Sequence, residues 1–160
     1  EESPIFLVTR QMADWPCCQA LERVSGFDAM MWATYLAHRD LEGTILGEVL
    51  NLFAPMQSAK AVRWRSLLLD AEAAVLDILP SFDADMFLRL NVIFSFSGFG
   101  CQVPISDGSA PSHPADEGVF ALASRMSHSC HPNISCHMRE SGRAPQTPRL
   151  VARALRDIEA

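Results

Sequence analysis

An α+β fold is the class this sequence predicts, and three observations carry the prediction. An apolar run follows Pro4, a long middle stretch from about Phe27 to Phe94 has helical periodicity, and short strand-like runs close the chain after a loop rich in Ser, Gly and Pro. Strands gathered into two blocks by an intervening block of helices fit segregated α+β layers better than an alternating parallel sheet. With 160 residues the chain is long enough for one domain with its own core.

The segment Glu2 to Val8 reads as a strand emerging from a turn, so residues 1–26 are assigned to an N-terminal strand region. A helical insert follows over 27–94. Asp28 to Leu52 reads as two shorter helices, weakened near Gly43 and Gly47. From Ser58 to Leu79, the residues Ala61, Trp64, Leu68, Ala71, Val75 and Ile78 recur at steps of three and four on one face. Ser58 is placed to cap this helix and Pro80 to stop it. A further helix runs from Asp83, a candidate N-cap, to Phe94. Residues 95–117 read as a long flexible loop. The closing block, 118–160, contains candidate strands at Val119 to Leu122, Asn133 to Arg139 and Arg149 to Leu155, the last two joined by a turn through ESGRAP.

A net charge of −6 and a pI near 5.3 argue against direct nucleic-acid binding, which needs clustered positive charge. No apolar run approaches the roughly 20 residues of a membrane span, so no membrane partner is expected. Charge is uneven: 66–90 carries Asp70, Glu72, Asp77, Asp83 and Asp85 against Arg89, whereas Arg dominates 125–160. The acidic stretch suits either a solvated helix face or attraction of a basic peptide. Cysteines 17, 18, 101, 130 and 136 are an odd number, which points to a reducing compartment, nuclear or cytoplasmic, or to metal binding, although adjacent Cys17 and Cys18 have no second pair near them; location is otherwise open. The chain lacks a Gly-x-Ser-x-Gly elbow, a phosphate-cradling Gly-rich loop before Lys and a His-Glu-x-x-His pair.

The densest chemistry lies in RMSHSCHPNISC, residues 125–136. His128, Ser129, Cys130, Pro132 and Asn133 match the Asn-His-Ser-Cys-x-Pro-Asn motif of SET-domain protein-lysine methyltransferases, with Ser127 where that family most often has Asn. Upstream, Gly118, Phe120 and Ser124 fall in register with the family's Gly-aliphatic-aromatic-x-x-x-Ser approach. Downstream, Arg149 to Ala160 is similar to the strand before its Gly-Glu-Glu element. The chain thus resembles a SET domain, of the SET-and-MYND-like or a related protist type, although no MYND zinc pattern occurs in it. The resemblance implies a SET-like fold of short strands with a helical insert and a pseudoknot-like C-terminal half, a rare exception to unthreaded connections.

What the resemblance implies for chemistry is methyl transfer from S-adenosylmethionine to a lysine of a protein substrate, such as a histone tail. Backbone groups of His128 would bind the adenine, and Ser127 would reach the cofactor's amino-acid end with a shorter side chain and one hydroxyl in place of an amide. Asn91 stands one residue out of register with a second family contact in an Asn-x-Phe context; its other reading is a helix residue satisfying carbonyls. Pro132 would lock the turn, Asn133 would tie the crossing, and Ser129 completes the structural motif. Cys130 would join a structural zinc only with downstream cysteines outside this chain, and a buried free thiol is its alternative. A local zinc knuckle from His128, Cys130, His131, Cys136 and His137 is disfavoured by the spacing. Phe99 and Phe120 are candidate walls of a lysine channel. The family's cofactor-binding Gly-x-Gly turn would precede Glu1 and its catalytic Tyr would follow Ala160. No catalytic residue is therefore assigned here, and the segment alone is expected to be inactive. The competing reading is a catalytically inactive SET-derived module for protein interaction.

Overall fold

The computed structural model describes residues 6–39, 41, 44–100, 117–120, 122–126, 134–140 and 148–155. The expected α+β class is observed: helices form one packed body and short antiparallel strands flank it.

Strand β1 covers only Phe6–Val8, and the helices α1 (Arg10–Ala13) and α2 (Pro16–Ser25) follow it. This corrects the strand region expected over 1–26. Pro16 starts α2 at a position where no intrahelical N–H is needed and its fixed φ is already helical. Gly26 ends it at φ 72°, a left-handed cap whose N–H donates to the Glu22 carbonyl at 2.8 Å.

Helices α3 (Ala29–Arg39) and α4 (Thr44–Leu50) are the two short helices anticipated between Asp28 and Leu52. In α5 (Ala59–Ile78), Ser58 Oγ accepts the Ala61 N–H at 3.2 Å, and Ala61, Leu68 and Val75 are buried along the expected stripe. Ile78, at its end, is partly exposed. Helix α6 (Ala84–Ser97) begins under Asp83, whose Oδ1 accepts the Met86 N–H at 2.9 Å, and runs three residues beyond Phe94.

The helices meet around an aromatic centre. Trp32 of α3 and Phe87 of α6 lie with ring centroids 4.4 Å apart, and Phe27, Tyr35 and Phe82 meet the Phe87 ring at steep angles. Such pairs contribute roughly 0.5–1.5 kcal/mol each beyond their burial. Polar ends inside this centre are satisfied: Trp32 Nε1 donates to Ser25 Oγ at 3.0 Å, and Tyr35 Oη accepts the Asp83 N–H at 2.8 Å. The second bond fixes the start of α6 against α3.

Strands β2 (Phe99–Gly100) and β3 (Glu117–Val119) complete a three-stranded antiparallel sheet in the order β1-β3-β2. Gly118 sits at its middle, opposite Leu7 on one side and Phe99 on the other. The candidate strand Val119 to Leu122 is displaced: β3 stops at Val119, and a 3-10 turn covers Ala123–Arg125. The physical cause is Ser124, whose Oγ takes the Phe120 N–H at 2.8 Å and turns the chain out of the ladder. Strands β4 (Ile134–Glu140) and β5 (Pro148–Ala154) pair antiparallel in a separate hairpin, with Met138 opposite Leu150. A lone two-stranded hairpin is marginal in water. Leu150 anchors this one by packing with Phe120 and Ala123, while Leu7 of β1 packs against the same cluster.

Candidate functional site

The approach to the His-Ser-Cys motif is built around one hydroxyl. Ser124 is buried, accepts from the Phe120 N–H at 2.8 Å and donates to the Ser97 carbonyl at 2.7 Å. Ser97, the last residue of α6, in turn directs its own Oγ at the Phe53 carbonyl at 3.4 Å. The end of α6, the segment after α4 and the 3-10 turn are thereby tied together. The turn is closed further by Ser124 N–H to Phe120 O at 3.2 Å and Met126 N–H to Ala123 O at 3.1 Å. Gly118, Phe120 and Ser124, singled out from the sequence, do share this structure. Ser97 was not singled out, because nothing local in the sequence links it to a hydroxyl 27 positions away.

Ser127, His128, Ser129, Cys130, Pro132 and Asn133 lie outside the described residues, which resume at Ile134. His131 does too. Phe120 is fully buried in the cluster with Ala123 and Leu150, which puts its ring in packed core; the Phe99 side chain is outside the described residues.

Asn91 is on the inner face of α6, buried at 4% exposure. Its Nδ2 donates to the Phe87 carbonyl one turn back at 2.9 Å and to the Met31 carbonyl of α3 at 3.3 Å. These two bonds use both amide hydrogens and bridge two helices. A cofactor could reach this side chain only through its Oδ1.

Among the described residues no three His, Cys, Asp or Glu side chains converge as a metal site. Cys136 is exposed, and Cys18 is buried with its thiol pushed up to about 11, chiefly by burial and secondarily by its neighbour Cys17. His38, on the buried side of α3, is held down to about 4 by burial, against the opposing pull of the Thr34 carbonyl 2.5 Å from its Nδ1. Its ring meets Phe94 edge-on at 5.3 Å. Near neutral pH, then, Cys18 is a thiol and His38 is uncharged, both within the helical core.

The acidic stretch 66–90 borders a cleft of about 380 Å³ between α5 and α6, floored by Leu68 and Leu88. Arg65 approaches Asp85 there at 3.7 Å with both side chains well exposed, so this pair contributes little stability. Asp83 spends one carboxylate oxygen on its cap. Among the described residues no helix is long and apolar enough to cross a membrane. No protein-family model matches the chain, and no curated protein matches it.

Proposed function

We propose that this chain comes from a SET-type, S-adenosylmethionine-dependent protein-lysine N-methyltransferase with a SET-like, pseudoknot-forming C-terminal half. The observation that carries the reading is the Ser124 bridge: the Ser-His-Ser-Cys-His-Pro-Asn run begins two residues after a 3-10 turn pinned by a buried hydroxyl. That arrangement gives the register Gly118, Phe120, Ser124 a physical purpose, because it delivers the motif from a fixed point. A second support is the pairing of β1 and β2 on either side of β3, which closes the sheet across the helical insert.

The cofactor supplies an electrophilic methyl group, and transfer to an amine is dominated by positioning. In this reading the main-chain N–H and C=O of His128 bind the adenine, and the Ser127 hydroxyl holds the amino-acid end. Pro132 restricts the turn, and Asn133 ties the threaded crossing, with Ser129 between them and His128. Cys130 supplies one thiolate to a structural zinc in a full-length protein that brings three more. The substrate is a lysine-bearing peptide, such as a histone tail. Asn91 belongs to the cofactor site only if its Oδ1 contributes, since its amide hydrogens are spent within the helical body.

The test is titration of S-adenosylhomocysteine into the full-length protein by calorimetry, followed by tritiated-methyl transfer to histones and to bulk protein. Binding together with transfer to lysine is expected, and Ser127→Asn should tighten binding. Failure to bind refutes the cofactor assignment. Ser127 favours the second reading, an inactive SET-derived interaction module, which binding without transfer to any lysine would select.

A further inference from the structure

The face of α5 beside its buried stripe carries Lys60, Arg63 and Leu67, with Trp64, which packs partly against the core, at the border of the two, at positions i, i+3, i+7 and i+4. These side chains form one wall of a groove of about 530 Å³ whose other wall, from Gly26 to Met31, includes Phe27 and Met31. We infer that this groove docks an acidic peptide segment of a partner protein that also carries apolar side chains, independently of the methyltransferase reading.

Charge complementarity selects the partner. Among the described residues neither Lys60 nor Arg63 has a carboxylate within ion-pair distance, whereas Arg65 faces Asp85 and Arg89 donates to the Leu50 carbonyl. Lys60, the lone lysine of a chain with net charge −6, is instead held by neutral groups. Its Nζ donates to Ser95 Oγ at 3.0 Å and sits 4.8 Å from the centre of the Trp64 ring. A cation over an aromatic face is attracted by the ring's negative π surface. It keeps donors for a carboxylate, because an ammonium group has three. Asp28 on the opposite wall engages its Oδ1 with the Met30 N–H at 2.7 Å. It repels a second acidic group there, so carboxylates are directed to the Lys60 and Arg63 end and apolar side chains to Met31 and Leu67.

Beyond Lys60, the surface continues through Ser95 to Phe96, whose ring meets that of Phe53 edge-on at 6.3 Å. These two rings are 50% and 67% exposed, an area of apolar surface that a partner side chain would cover. A nucleic-acid backbone suits the groove less well. The two cations lining the groove, Lys60 and Arg63, offer a short positive island rather than a track for successive phosphates.

The experiment is fluorescence anisotropy with a labelled twelve-residue peptide in which Phe and Leu alternate with Asp and Glu. The same peptide with Asn and Gln in place of the acids and a single-stranded DNA oligonucleotide complete the probes. The acidic peptide should bind more tightly than the neutral one, and less so as salt rises. Arg63→Glu should weaken binding roughly tenfold while Arg65→Glu, the same charge change on the cleft side of α5, changes it less than about twofold. Leu67→Ser should weaken both peptides. Matching melting curves establish that each variant folds. Any one of four results overturns the inference: no binding by the unaltered protein, equal binding of acidic and neutral peptides, equal losses for Arg63→Glu and Arg65→Glu, or tighter binding of the oligonucleotide.

Discussion

Ser124→Ala isolates the bond on which the approach to the motif depends. The hydroxyl is 6% exposed and works in both directions, accepting from Phe120 N–H at 2.8 Å and donating to Ser97 O at 2.7 Å. Each bond contributes roughly 0.5–1.5 kcal/mol net, and leaving a buried donor without this acceptor adds about 1–3 kcal/mol. Allowing for relaxation, the expected loss is about 2–4 kcal/mol, a sizeable part of a typical domain stability of roughly 5–15 kcal/mol. Ser97→Ala removes only the long 3.4 Å contact with Phe53 O and should cost below about 1 kcal/mol. Guanidinium unfolding of the two variants measures the difference, and an unchanged m-value certifies that the folded and unfolded ensembles are comparable. Hydrogen exchange at the Phe120 amide should accelerate by about 30-fold or more in Ser124→Ala if local opening carries the loss. A destabilisation under about 0.5 kcal/mol would refute the reasoning, since the turn would then be held by something other than this hydroxyl.

Asn91→Ala should cost about 1–3 kcal/mol, because it deletes the bridge from α6 to the Met31 carbonyl and opens space in a packed layer; a loss within error of zero in denaturant unfolding would contradict this. His38 makes stability pH-dependent. Its folded value of about 4 lies below the unfolded value near 6.5, so above that range both states are neutral and its contribution is full. As pH falls from 6.5 to 4 the unfolded chain takes a proton that the folded chain declines, and up to about 3 kcal/mol is lost before the curve levels. Unfolding at pH 7 and pH 5 should show this slope shrinking in His38→Gln; an identical slope would exclude His38 as its source. Cys18, with its thiol near 11, should resist iodoacetamide at pH 8 while exposed Cys136 reacts, and should label only on unfolding. Equal labelling rates by peptide mass spectrometry would contradict its burial.

Local chemistry made the caps legible. Ser58 and Asp83 announce α5 and α6 because an N-cap needs only a short acceptor two or three residues before the N–H it receives. The signals for α2 were equally local, Pro16 at the start and Gly26 at the end. Pro16–Ser25 nevertheless carries few strongly apolar residues and buries only Cys18 and Leu21, so its composition alone does not mark it as a helix. β3 ends at Val119, three residues before the expected Leu122, for another reason: Val119 to Leu122 has strand-like composition, and Ser124 reaching back to Phe120 takes that N–H out of the ladder.

By itself, then, the sequence determined the helices from α3 to α6, the caps of α5 and α6, the strands of the closing hairpin and the motif of 127–133, all of which depend on neighbours a few residues apart, but not α1, α2 or the short strand β2. Tertiary structure decided that β1 and β2 flank β3, that Ser97 and Ser124 meet, that Asn91 bridges α6 to α3, and that the Lys60 face of α5 has an opposing wall at Phe27 and Met31. Each of these joins residues far apart along the chain, and burial of the shared core is what selects such pairings from the many that local preferences allow.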